Sequence, residues 1–142
     1  MNRIIKFRAW DDVEKKMYSA VDIFNDPKNG IWYEDDQDGS LSINKIMDNY
    51  GIRRKLISMQ FTGFLDVNKK EIYEGDIVKY VIDDQYANMG THIGEIMFSS
   101  GSFRSNIDFT RPHRYGDNMS YHPAVNDCVV LGNVFENKDL LK

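Results

Sequence analysis

Apolar residues in this chain return mostly at every second position, in short runs closed by glycine, aspartate or asparagine. That period belongs to half-buried strands. Ile57, Met59 and Phe61 alternate with Ser58, Gln60 and Thr62 until Gly63 ends the run. Ile5, Phe7 and Ala9 alternate in the same way with Lys6, Arg8 and Trp10. A polar turn at Asp11-Asp12 and Glu14-Lys15-Lys16 follows, so Met17 to Phe24 reads as the returning strand of a hairpin, and Ile31-Trp32-Tyr33 as a short third strand.

One segment departs from this period. Ile43, Ile46, Met47 and Tyr50 fall at i, i+3, i+4 and i+7, the spacing of one helical face. Ser42 is placed to cap such a helix and Gly51 to end it. Beyond it the strands resume. Ile77 to Ile82 is apolar on both faces except for Lys79, as in a central strand. Glu95 to Phe98 and Phe103 to Ile107 flank Ser99-Ser100-Gly101-Ser102 as a hairpin, and Cys128 to Phe135 makes a last strand. Asn137 is placed to cap a final helical turn that docks Leu140 and Leu141. Five short strands with tight turns in the second half suggest a small barrel. The expected fold is mainly β, bordering on α+β. Residues 1–55 form an N-terminal β region with one short helix, and residues 56–142 form the barrel.

Composition agrees and excludes several classes. The 142 residues include eight Phe, eight Tyr and two Trp against three Pro, a balance that favours strands. One cysteine rules out an internal disulfide and a Cys-based zinc cluster, and fits a reducing compartment. No apolar run approaches the ~20 residues of a membrane-spanning helix, and Met1-Asn2-Arg3 does not lead into a signal-peptide core. A cytoplasmic protein is expected. The formal charge of −4 argues against a general nucleic-acid binder.

No catalytic constellation emerges. Glu34, Asp36 and Asp38 before Gly39 imitate part of a calcium loop, but the position that needs a bidentate glutamate holds Lys45. His92, His113 and His122 lack the spacing of a zinc-binding helix. Cys128 opens an apolar run and reads as a small core residue. No site for a metal or cofactor is expected, and no enzyme. The segment from Phe103 to Tyr121 is different. Arg104, Arg111, His113 and Arg114 interleave there with Phe109 and Tyr115, and arginine forks beside aromatic faces suit a protein hot spot or single-stranded nucleic acid. With this stretch free of lysine and the chain acidic, a protein partner is the first expectation. A nucleic-acid-binding accessory factor and an assembly component that pairs with copies of itself are the alternatives.

Three blocks of sequence resemble the YopX family of phage and prophage proteins. They are Ile5-Lys6-Phe7-Arg8-Ala9-Trp10-Asp11 with Lys16-Met17; Met59-Gln60-Phe61-Thr62-Gly63 through Asp66 to Lys70-Glu71-Ile72-Tyr73-Glu74-Gly75-Asp76-Ile77-Val78; and Val130-Leu131-Gly132-Asn133-Val134-Phe135-Glu136-Asn137 with Leu140-Leu141. Between Leu41 and Lys55 the chain is longer than the family pattern. The resemblance implies an SH3-like form for the C-terminal barrel, and a phage or prophage origin. It carries over no activity, since the matching residues are of core and turn types. A turn carboxylate such as Asp76 is expected to bond nearby backbone amides.

Overall fold

The computed structural model describes residues 4–20, 23, 30–35, 37–38, 40–46, 53–82, 90–99, 101–105 and 128–142. The chain divides into two compact units, Met1–Gln60 and Phe61–Lys142. It is mainly β, as the alternating runs require.

In the first unit, β1 (Phe7–Asp11), β2 (Lys16–Tyr18), β3 (Ile31–Asp35), β4 (Leu41–Ile46) and the first part of β5 (Arg53–Leu65) form an antiparallel sheet in the order β2-β1-β5-β4-β3. Its core gathers Ala9, Tyr18, Ile23, Ile31, Ile43 and Leu56, with Phe7 and Tyr33 packed at the margin. The β1–β2 hairpin turns where expected, and Lys15 takes a positive φ of 53° there.

Two expectations for this unit are corrected. The segment read as a helix starts as a strand: β4 is paired on one side with β3 and on the other with β5, aligning Ile43 with both Tyr33 and Leu56. Ser42 caps nothing and is buried inside the strand, where its hydroxyl accepts a hydrogen bond from Asn44 Nδ2 at 2.9 Å. Two flanking ladders satisfy more of the backbone than an isolated short helix can, so the tertiary setting overrides the local period. Met47 and Tyr50 lie outside the described residues. The second correction is the returning strand, which stops at Tyr18. Ala20 and Ile23 are helical, and the Ile23 amide donates to the Ser19 carbonyl at 3.1 Å, which turns Ile23 into the core.

In the second unit the end of β5 pairs with β6 (Glu71–Tyr73), aligning Phe61 with Tyr73. A four-stranded antiparallel sheet follows in the order β10-β7-β8-β9, from β7 (Asp76–Ile82), β8 (Gly90–Ser99), β9 (Ser102–Ser105) and β10 (Val129–Asn133). The expected central strand is indeed central, since β7 has neighbours on both sides. One face of this sheet carries the core of Val78, Tyr80, Ile96 and Val130, joined by Ile72 and Cys128, with Phe103 against it. Cys128 is fully buried, as its apolar run suggested.

The barrel is not closed among the described residues. Closure needs the two outer strands to find hydrogen-bonding neighbours, and here β9, only four residues long, and β10 are the two ends of an open sheet. Residues 138–141 make a 3-10 turn, but Asn137 does not cap it through its side chain, and Leu140 and Leu141 stay exposed. The Asn137 side chain is spent elsewhere: its Oδ1 accepts the Asn133 amide at 3.2 Å.

Candidate partner-binding face

The buried polar side chains of the blocks that carry the family resemblance are of the types a reactive site would use. In the second unit Asp66, Asp76 and Asn133 each hold a turn, while Thr62 Oγ1 donates to the Ile72 carbonyl at 2.8 Å. Asp66, almost fully buried, accepts the amides of Asn68 at 2.8 Å and Lys70 at 2.9 Å on Oδ1, and that of Val130 at 3.0 Å on Oδ2. Burial works against its charge, yet the three amides hold its pKa below the ordinary aspartate value. Asp76, also buried, accepts the Tyr73 amide at 2.8 Å. Between them in the β6–β7 turn, Gly75 adopts φ 74° and donates to the Ile96 carbonyl at 2.8 Å. Asn133 Oδ1 accepts the amides of Phe135 and Glu136, both at 3.0 Å, while its Nδ2 donates to Glu136 Oε2 at 2.6 Å. These groups act as struts, as expected for carboxylates in turns.

The first unit holds a charged cluster that sequence reading did not assemble. Asp11, fully buried, accepts the Val13 and Glu14 amides at 3.0 and 3.1 Å on Oδ1, and binds the Arg54 guanidinium through Oδ2. Glu14 takes Lys45 Nζ at 2.6 Å and Arg54 Nη2 at 3.2 Å. The Tyr18 hydroxyl donates to Glu14 at 3.0 Å and accepts from Lys45 at 2.8 Å. Burial opposes ionisation of Asp11, but the amides and Arg54 more than offset it and keep its pKa low. Two acids face two cations, so the cluster is internally neutral. The lysine that spoils the calcium-loop pattern thus has its partners in the β1–β2 hairpin. Asp38 of that loop accepts the Ser40 amide at 2.9 Å and its hydroxyl at 2.6 Å. No set of three His, Cys, Asp or Glu side chains among the described residues is arranged to hold a metal ion. His92 stacks on Tyr80 with ring centroids 5.8 Å apart.

Of the residues picked out as a partner-binding set, Arg104 lies on β9, where its Nε donates to Ser102 Oγ at 3.1 Å. Phe109, Arg111, His113, Arg114 and Tyr115 lie outside the described residues. Arg104 is brought instead beside groups that the sequence reading did not select. Residues directly opposite in an antiparallel pair share a face. The β8–β9 register sets Arg104 opposite Met97, and the β7–β8 register sets Lys79 opposite Ile93 and Ile77 opposite Glu95. All lie on the sheet face away from the core of Val78, Tyr80 and Ile96. Ile93 and Met97 are 44% and 40% exposed, whereas Ile77 is fully buried. The 3-10 turn packs against β8 near this buried end. Burial raises the pKa of Glu95, and the charge of Lys138 acts in the opposite sense. Lys79 was visible in sequence as the break in an apolar strand. Nothing local marked Ile93 and Met97 as exposed.

The arrangement of strands is shared with known proteins. A family model described as YopX protein matches residues 6–142. The chain belongs to the YopX family. The crystal structure of protein EF1440 from Enterococcus faecalis is similar over 99% of this chain and 100% of its own, with 27% identity and a TM-score of 0.59. The crystal structure of YopX from Bacillus subtilis shares the fold at 18% identity and a TM-score of 0.53, covering 96% of this chain and 98% of its own. The search of curated proteins returned no match. Within the YopX-family motif, the conspicuous acids Asp11, Asp66 and Asp76 all bond backbone amides. No helix among the described residues is long and apolar enough to cross a membrane.

Proposed function

We propose that this YopX-family chain is a non-enzymatic binding module that engages a protein partner through the outer face of its second sheet. The observation that carries this reading is the pairing of exposed apolar with basic side chains across three strands: Ile93 with Lys79, and Met97 with Arg104. Ile93 and Met97 lie outside the unit's core, and apolar side chains left exposed beside cations on one sheet face suit association. The motif acids support the same reading, since their oxygens already serve the turns.

Arg104 and Lys79 also favour the alternative of nucleic-acid binding. Against it, the described residues of this face include no aromatic ring for a base to stack on, and Glu95 repels phosphate. An assembly component remains the third reading. The family likeness supports a phage or prophage origin, and the lone buried thiol supports a reducing cytoplasm as the site of action.

Affinity capture from the host, using the wild type and the Ile93→Asp/Met97→Asp variant side by side, tests the proposal. A protein retained by the wild type and lost by the folded variant supports it. Equal recovery on both contradicts it. Steep, salt-dependent retention of the wild type on single-stranded DNA would replace it with the nucleic-acid reading.

A further inference from the structure

The chemistry of the outer face specifies what covers it. Along β8 the outer-face positions run Ile93, Glu95, Met97, the first and last exposed, and the cations stand on the neighbouring strands, Lys79 on one flank and Arg104 on the other. Ile93 and Met97 are four residues apart on one strand, about 13 Å at the usual rise. The two cations are separated by the same distance along the strand and lie on opposite sides of it. Lys138, from the 3-10 turn, acts electrostatically on Glu95. The described side chains of this strip therefore carry two cations, Lys79 and Arg104, against one half-buried acid that Lys138 already offsets, on a protein whose formal charge is −4. A basic, apolar strip on an acidic chain has a definite complement. Its occupant must offer apolar side chains to Ile93 and Met97, and carboxylates to Lys79 and Arg104.

We infer that the outer face of the second sheet binds an acidic amphipathic segment of a protein partner. The segment lays an apolar stripe along β8 and places carboxylates on both edges of that stripe. Electrostatic complementarity of this kind governs encounter and register, while the buried apolar contacts slow release. The inference rests on the proposed binding role of this face, and its test separates the two.

The test is selection of random 16-residue peptides displayed on phage against the immobilised full-length chain. The wild type is run beside Lys79→Glu/Arg104→Glu and Ile93→Asp/Met97→Asp, each first checked for a wild-type circular dichroism spectrum. If the charge reversal does not fold, Lys79→Gln/Arg104→Gln takes its place. Enrichment of peptides that mix Asp or Glu with Leu, Ile, Val or Phe is expected. Charge reversal should weaken their binding about tenfold or more, the range in which charge pairs across interfaces act. Neutral or basic peptides that are lost with the Ile93/Met97 variant but indifferent to charge reversal would overturn the acidic partner and leave the binding face standing. Peptides indifferent to both variants, or no enrichment at all, would overturn the binding face and the inference with it.

Discussion

Asp66 in the turn after β5 accepts the backbone amide of Val130 in β10 at 3.0 Å, across 64 residues of sequence. The Val67 amide adds a second tie nearby, donating to the Cys128 carbonyl at 3.1 Å. One short side chain thus closes its own turn through Asn68 and Lys70 and fixes the start of a distant strand. Asp66→Ala leaves three amides without their acceptor. The expected cost is about 2–4 kcal/mol, from ~1 kcal/mol or more for each buried amide left unpaired. Urea unfolding followed by tryptophan fluorescence and far-UV circular dichroism measures it. A change below about 0.5 kcal/mol would contradict the strut role.

The same carboxylate sets a pH dependence. Asp66 and Asp11 both have folded-state pKa values below the ordinary one, so the unfolded chain binds protons more readily at these two sites. Their contribution is fully present above the unfolded pKa of about 3.9, and it is gone once the pH has fallen through the lower folded value. Stability should therefore fall as pH drops from about 5 to 2. The slope should be shallower in an Asp66→Asn variant. Denaturant midpoints at intervals of half a pH unit would show it, and equal slopes for the two proteins would contradict the assignment.

In the first unit, Arg54→Met removes the cation bound directly to buried Asp11 and leaves Lys45 at 3.8 Å as its remaining ionic partner. Breaking a buried pair from one side costs about 3–5 kcal/mol in a fully dry site. Arg54 keeps some solvent contact, so about 2 kcal/mol is expected. Asp11→Asn in the same chain should recover part of the loss, because the amide oxygen can still serve the Val13 and Glu14 amides without carrying charge. A double-mutant cycle tests this, and strictly additive losses would show that the two side chains do not act as a pair.

At the C-terminal end, a Cβ added to Gly132 would fall inside the Asn137 side chain, whose Oδ1 accepts the Asn133 amide. Gly132→Ala should destabilise the protein by about 1–3 kcal/mol through overpacking and loss of that bond. In an Asn137→Gly background the same substitution should cost much less, since the obstructing atoms are gone. Thermal unfolding of the four proteins decides it. An equal penalty in both backgrounds would place the constraint on Gly132 elsewhere.

Legibility of the fold followed how much of each element is dictated locally. The β1–β2 turn, the central β7 and the β8–β9 hairpin were readable because alternation and turn residues sit side by side in sequence. The segment after Leu41 was misread because its alternation lasts only from Leu41 to Asn44 before Lys45 and Ile46 reverse the phase, and burial of Ser42 and Asn44 beside Ile43 is set by the two flanking strands, not by the local pattern. The first half of β8 went unread because Gly90, His92 and Gly94 interrupt its apolar pattern. The binding face was less legible still. Alternation distinguishes two faces of a strand without saying which one the rest of the chain covers. Ile93 and Ile96 look alike in sequence, and only the register with β7 and β9 separates exposed from core.

The central claim, that the outer face of the second sheet is where a partner docks, is tested most directly by site-specific photo-crosslinking in host cells. A benzophenone side chain replaces Met97 on that face or, as a control, exposed Ser58 in the first unit. The expected result is a discrete protein adduct from position 97, absent from position 58 and abolished by Lys79→Glu. The same adducts from both positions, or none from position 97, would contradict it.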